Sequence, residues 1–137
     1  MLDIYTRRVV GWAMHEQLAA AVPLAALHMA INRRRPRPGL IVHSDRGAQF
    51  TCGAYQQALA DHGLVASMSR KGNCYDNAYI ESFWSSLKYE TIYQRKFATR
   101  AEARTALFDY IESFYNRTRL HSSLGYISPI TFESQLN

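Results

Sequence analysis

Leu40-Ile41-Val42-His43-Ser44-Asp45-Arg46-Gly47 is the stretch on which the reading of this chain turns. Its apolar start, rich in β-branched residues, reads as a short buried strand. The acid falls just past the strand's end. A second acid, Glu81, stands in Asn73-Cys74-Tyr75-Asp76-Asn77-Ala78-Tyr79-Ile80-Glu81-Ser82-Phe83, with thirty-five residues between the two. That segment opens a helical pattern, because Ile80, Phe83, Trp84 and Leu87 recur at i, i+3, i+4 and i+7. One carboxylate at a strand end and another on a helix is a layout that suits two-metal phosphoryl transfer, since rigid elements fix the separation of the acids. Taken without its flanks, Asp45 reads equally well as a turn residue before Arg46-Gly47. Glu81 likewise reads as a solvated residue near a favourable helix N-terminus.

Working outward, Pro38-Gly39 breaks the chain before the central strand. Residues 2–5 and 9–14 read as two strands joined by a polar turn at Thr6-Arg7-Arg8. Residues 18–33 read as an apolar helix in which Pro23 is tolerable only in the first turn, so the regular helix should start late. Leu24, Leu27, His28 and Ile31 share one face of it, which makes His28 a half-buried packing residue. Downstream, residues 53–62 form a helix stopped by Gly63, residues 64–68 a strand, and residues 69–77 a polar loop of the kind that lines active sites. Residues 79–94 form the next helix. Thr99 and Glu102 make a capping-box signature for a last helix to about residue 115, with Leu107, Tyr110, Ile111 and Phe114 facing the core. From 116 the chain reads as an irregular tail. The order β-β-α-β-α-β-α-α is a mixed α/β pattern.

A chain of 137 residues is one domain at most and long enough to bury a core. Its 47% hydrophobic and 20% charged residues are those of a globular protein. No apolar run approaches a membrane span, and the first residues are strand-like rather than a signal peptide. Cys52 and Cys74 form no CxxC pair and read as reduced cytosolic thiols. The net charge of +5 suits a partner made of phosphates. Arg33-Arg34-Arg35-Pro36-Arg37 fits a helix end with a solvated loop, and it also fits a direct DNA contact.

Three long segments carry a resemblance: HSDRGAQFT from His43, SMSRKGNCYDNAYIESFWSSLKYE from Ser67, and YNRTRLHSSLGYISPITFE from Tyr115. They resemble the catalytic core of bacterial insertion-sequence transposases of the orfA/orfB type, whose second reading frame encodes a retroviral-integrase-like protein. The similarity runs from about Leu2 to Glu133. It implies an α/β, ribonuclease-H-like (integrase core) fold, a DDE-type triad of carboxylates, and metal-dependent DNA strand cleavage and transfer in transposition. In the family pattern the first catalytic Asp lies on a strand preceding the segment that matches Leu2–Trp12. The expectation is therefore a core spanning 1–137 without its first strand and first acid, with 116–137 as the tail of the same domain. Asp3 belongs by resemblance to the second strand and is not that acid, and Asp76 reads as a turn residue.

The resemblance implies Asp45 and Glu81 as catalytic metal ligands. Mg²⁺ or Mn²⁺ is the implied cofactor, weakly bound here, because hard ions take carboxylate oxygens. Lys88 follows Glu81 by seven residues, on the same helix face about 10 Å away. By resemblance it is a DNA contact, though alone it also reads as an ordinary exposed lysine; Arg46, Asn73 and Asn77 read as strand or phosphate contacts, and Arg117 and Arg119 of the basic tail as further DNA contacts. The aromatic and basic tail from Tyr115 to Tyr126 suits a phosphate-tracking surface and equally a wrap over the core. A lone His121 does not suit a hard-metal site. The implied partners are DNA, at element ends and target, and further copies of the chain. Neither a membrane nor a small-molecule substrate is implied, and the implied setting is the bacterial cytoplasm. Two other readings stand beside this one. The chain is a catalytically inactive DNA-binding or subunit-interaction fragment, or it is a ribonuclease-H-type nuclease of another specificity.

Overall fold

A computed structural model describes residues 1–16, 20–70 and 77–137. They gather into two compact units. One holds Met1 and Val10–Ala78, the other Leu2–Val9 and Tyr79–Asn137.

In the first unit, α1 spans Ala21–Arg34. Pro23 sits within its first turn, where a missing N–H breaks no bond, so the regular helix starts at Ala21 rather than at 18, the late start that Pro23 requires. Arg33 and Arg34 complement the dipole of the last turn. Arg35 then turns left-handed and donates its N–H to the Ile31 carbonyl at 2.7 Å. The buried stripe is Ala26, Leu27, Ala30 and Ile31. His28 is exposed, contrary to the sequence reading. The reason is close backbone packing: a Cβ on Gly11 would lie 2.1 Å from the Ala26 carbonyl oxygen. The side of the helix lined by small residues therefore turns inward, which leaves position 28 outside.

Strand β1 (Ile41–Ser44) pairs in parallel with β2 (Val65–Met68), in the register Ile41↔Val65 to Ser44↔Met68. Between them run the short α2 (Ala48–Thr51), which the sequence did not announce, and α3 (Gly53–Asp61). Val42 points into a core of Leu27, Ile31, Tyr55, Ala58, Leu59 and Leu64. Gly63 stops α3 at a φ of 66°, a conformation that glycine adopts without penalty. Its carbonyl accepts the Gly39 N–H at 2.8 Å, which starts the strand pair.

In the second unit, the expected hairpin is a single antiparallel bridge, Leu2↔Val9. Among the described residues the sheet has two strands. Local bonding explains the short ladder. The Asp3 carboxylate accepts the N–H groups of Tyr5 (2.9 Å) and Thr6 (3.2 Å), which folds the chain into a turn. The Val9 backbone is taken by a side chain: its N–H donates to Asn116 Oδ1, and its carbonyl accepts from Asn116 Nδ2, both at 2.9 Å.

Helix α4 covers Ala78–Glu90 and gives way to a 3₁₀ turn at Ile92–Gln94. Its buried residues are Phe83 and Leu87, while Trp84 is half exposed. Helix α5 (Arg100–Phe108) opens on the expected cap, with Thr99 Oγ1 accepting the Glu102 N–H. Glu102 reaches back to the Ala98 N–H at 2.9 Å. The chain then continues as a π-helix, Asp109–Tyr115. Its wider i→i−5 turns, such as Asn116 N–H to Ile111 O at 3.0 Å, shift the inward face. Tyr110, Ile111 and Tyr115 are buried, and Phe114 is 41% exposed. The tail is ordered where irregularity was expected. It carries a 3₁₀ turn, Ser122–Leu124, and α6, Pro129–Ser134, capped by Ser128.

Candidate active site

Asp45 lies immediately after β1, three residues beyond the buried Val42 that anchors the strand in the core. Its Oδ1 accepts the Gly47 N–H at 2.7 Å. A Cβ at position 47 would meet that same oxygen at 2.9 Å, so glycine permits the close approach. The carboxylate is solvent-exposed and held in a tight turn.

The hub of the surrounding network is Ser69, a residue the sequence reading passed over. It is 5% exposed and follows β2 directly. Its hydroxyl bonds the Ser44 carbonyl (3.2 Å) and Asn77 Oδ1 (2.8 Å), and it lies 3.2 Å from His43 Nε2. Its carbonyl accepts Arg46 Nε at 2.9 Å. Asp45, Arg46 and Asn77 are thereby gathered at the ends of β1 and β2. The signal available in the sequence was a hydroxyl placed at the same strand end as Ser44, which parallel register makes a neighbour. Asn73 lies outside the described residues.

In the second unit, Glu81 occupies the first turn of α4 and Lys88 the last, both exposed. Arg119 has an internal partner. Its Nε lies 2.9 and 3.0 Å from the two Glu90 oxygens, and its Nη2 donates to Glu90 Oε1 at 2.7 Å and more weakly to Ser86 Oγ. The Tyr110 hydroxyl donates to Glu90 Oε2 at 2.6 Å. The Arg119 hydrogen bond, with a smaller share from Tyr110, holds the Glu90 carboxyl below the usual carboxylate range against the opposing effect of burial. Burial, then the hydrogen bond to Glu90, raises the Tyr110 hydroxyl. Arg117 is exposed. Arg8 pairs with Glu133, which ties the first turn to α6.

Asp45 and Glu81 offer oxygen donors of the kind that a hard divalent ion prefers. Among the described residues, no group of three or more His, Cys, Asp or Glu side chains is gathered to hold a metal. No described helix is long and apolar enough to cross a membrane.

A family model described as an integrase core domain matches residues 1–74, and a second of the same description matches residues 62–129. The chain is 46% identical over 132 residues to the transposase for insertion sequence element IS904 of Lactococcus lactis, covering 96% of this chain and 52% of that protein. It is 48% identical over 133 residues to an insertion element IS600 31 kDa protein of Shigella sonnei, covering 97% and 49%. It is 46% identical over 135 residues to transposase InsF for insertion sequence IS3fB of Escherichia coli, covering 98% and 47%. The chain thus spans about half the length of the curated relatives it matches.

Among solved structures, a simian T-cell lymphotropic virus intasome chain superposes with a TM-score of 0.65 at 14% identity, over 86% of this chain and 41% of that one. The catalytic core domain of BIV integrase gives 0.57 at 21% identity, over 90% and 78%. The fold is therefore ribonuclease-H-like, as in retroviral integrase cores. With both halves matched and the strand-end and helix acids in their expected elements, the chain belongs to the integrase core domain family.

Proposed function

We propose that this chain is the catalytic core domain of a DDE-type transposase that, in the intact protein with its full triad of acids, cuts and joins DNA strands in a metal-dependent reaction. One observation carries the reading: a chain matched in both halves by integrase core models presents Asp45 at the end of β1 and Glu81 in the first turn of α4. In this reading residues 1–137 act as one core, with 116–137 as its tail.

Asp45 and Glu81 would hold the metal, Mg²⁺ or Mn²⁺. When bound, paired divalent ions activate the attacking oxygen and neutralise the leaving one. The chain's own contribution is placement. The Gly47 N–H fixes the orientation of the Asp45 carboxylate, leaving Oδ2 for a ligand. Ser69 holds Arg46 and Asn77 beside it, ready for the DNA backbone. Lys88, on the exposed side of α4, takes a phosphate two turns from Glu81. Arg117 and the exposed arginines of residues 33–37 add sequence-tolerant attraction to DNA. The partners are DNA, at element ends and target, and further copies of the chain.

The test is fluorescence anisotropy with labelled duplex DNA across a salt series, joined to a strand-transfer assay in Mg²⁺ or Mn²⁺. Affinity should fall steeply and log-linearly with salt. Lys88→Ala should weaken binding without unfolding the protein. Absence of binding at low salt, or binding indifferent to salt, would overturn the nucleic-acid reading.

A further inference from the structure

Two of the most exposed aromatic side chains of the protein touch each other. Tyr89 is 68% exposed and Tyr93 65%, and their rings meet edge to face, with centroids 5.5 Å apart and planes at 86°. A single exposed aromatic calls for no explanation. A pair held together in solvent does, because each ring still turns a face to water. The backbone beneath them is fixed by hydrogen bonds. Tyr89 lies in the last turn of α4, and Tyr93 in the 3₁₀ turn Ile92–Gln94. Between them Thr91 is buried and donates its N–H to the carbonyl of the buried Leu87 at 3.0 Å. The Gln94 side chain closes the corner by donating to the Tyr89 carbonyl at 2.8 Å.

The charge along this stretch is positive. Lys88 precedes Tyr89, Arg95 and Lys96 follow Tyr93, and all three are exposed. None of the three has a carboxylate partner among the described residues. The acid between the rings, Glu90, is already neutralised, because its carboxylate is held by Arg119 and by the Tyr110 hydroxyl. The Arg95 guanidinium lies 5.2 Å from the Phe97 ring centroid, a cation set over one more aromatic face.

An occupant must match both features. Open ring faces call for a flat partner, and the flanking cations call for an anion. A nucleotide strand supplies the two together, as a base with its neighbouring phosphates. In a duplex the bases stack on one another, so phosphate contact alone would leave the rings unused. We propose that Tyr89 and Tyr93 form a stacking platform for unpaired bases of a DNA strand, with Lys88, Arg95 and Lys96 on its phosphates. The choice of DNA rests on the transposase reading. The preference for an unpaired strand rests on the rings.

The experiment is fluorescence anisotropy of the whole chain at low salt, with a labelled mixed-sequence single strand and, separately, a blunt duplex of the same sequence. Tyr89→Ala with Tyr93→Ala should weaken single-strand affinity at least about tenfold, the effect of losing one stacked base. Duplex affinity should change less than about twofold, since the phosphate contacts are kept. Tyr89→Phe with Tyr93→Phe keeps the ring faces and should hold single-strand affinity within about twofold. In the parent, where folding is not in question, the ring ¹H resonances of Tyr89 and Tyr93 should move upfield saturably with the single strand and not with the duplex. Equal losses on single strand and duplex, or equal losses in the Ala and Phe pairs, overturn the platform, because a phosphate contact or a hydroxyl would then be responsible. Ring shifts induced by polyglutamate and not by the single strand also overturn it and assign the face to an acidic protein. DNA binding indifferent to these substitutions overturns the platform and leaves the transposase reading standing. No binding of either DNA at low salt overturns both.

Discussion

Replacing Asn116 by alanine tests the packing logic of the second unit most directly. The side chain is among the most buried of the chain, at 1% exposure, and its amide meets both backbone groups of Val9, itself 2% exposed. The substitution removes two hydrogen bonds and strands a buried N–H and a buried carbonyl. At roughly 1–3 kcal/mol for each group left unsatisfied, the loss should be about 3–5 kcal/mol. With a urea slope of about 1–3 kcal/mol per molar, that is a shift in midpoint of roughly 2 M. Equilibrium urea unfolding gives the magnitude. Hydrogen exchange at the Val9 amide gives the location, because its protection should collapse in the variant. Asn116→Asp should cost at least as much, since it turns a donor toward the Val9 carbonyl into an oxygen. A loss below about 1 kcal/mol with the Val9 amide still protected would falsify the account, because each stranded group alone should cost about that much.

Gly47→Ala should separate stability from chemistry. Position 47 has an ordinary φ of −57°, and the new methyl would meet side-chain ends, Asp45 Oδ1 and Gln49 Oε1, both at 2.9 Å. Thermal stability should change by less than about 1 kcal/mol, while Mn²⁺-dependent activity of the intact transposase carrying the substitution falls; the reverse pattern would show that the Asp45–Gly47 contact is merely structural. Made in the intact transposase, Asp45→Asn and Glu81→Gln should each lower metal-dependent strand transfer more than about a hundredfold, since even outer-shell changes at metal sites cost 10–100-fold. Unfolding midpoints should stay near the parent's, and a variant with full activity would remove that acid from the site. Glu90 should make the second unit acid-sensitive. Its folded pKa is lowered by Arg119, so its stabilisation is present above the ordinary carboxylate pKa and is lost as pH falls through the folded value. Stability measured from neutral pH downward should drop below about pH 4.5 in the parent and drop less in Glu90→Gln; identical profiles would count against the Glu90–Arg119–Tyr110 network.

What was legible in the sequence is what rests on local chemistry. The run Leu40-Ile41-Val42 placed Asp45 at a strand end because a short apolar run bounded by Pro38-Gly39 has few other uses. Thr99 and Glu102 marked a helix start because their hydrogen bonds close within four residues. Ser128-Pro129 carries an equally local signal, an N-cap followed by proline at N1, which the reading of 116–137 as an irregular tail leaves out.

The remaining misreadings share a different cause: the deciding partner is remote. Val9 would read as a strand residue in any local window, yet its ladder bonds are made by Asn116, 107 positions away. Helical periodicity of 3.6 put Phe114 in the core, and the π-helix put Tyr115 there instead. The consequence reaches the chemistry. Tyr115 packs edge-on against Phe83 of α4 at 5.0 Å and against His121 at 4.8 Å. An ordinary α-helix through 109–115 would place the next residue of that face at 114, and the ring that meets His121 would point elsewhere. The wide turn is thus the element that brings the α4 helix, which carries Glu81, and the His121 ring onto one aromatic side chain. A π-helix is less favourable than an α-helix for the same residues and persists where packing or function selects it. Here the packing it selects is the one that sets Phe83, Tyr115 and His121 together, which no reading confined to neighbouring residues would reach.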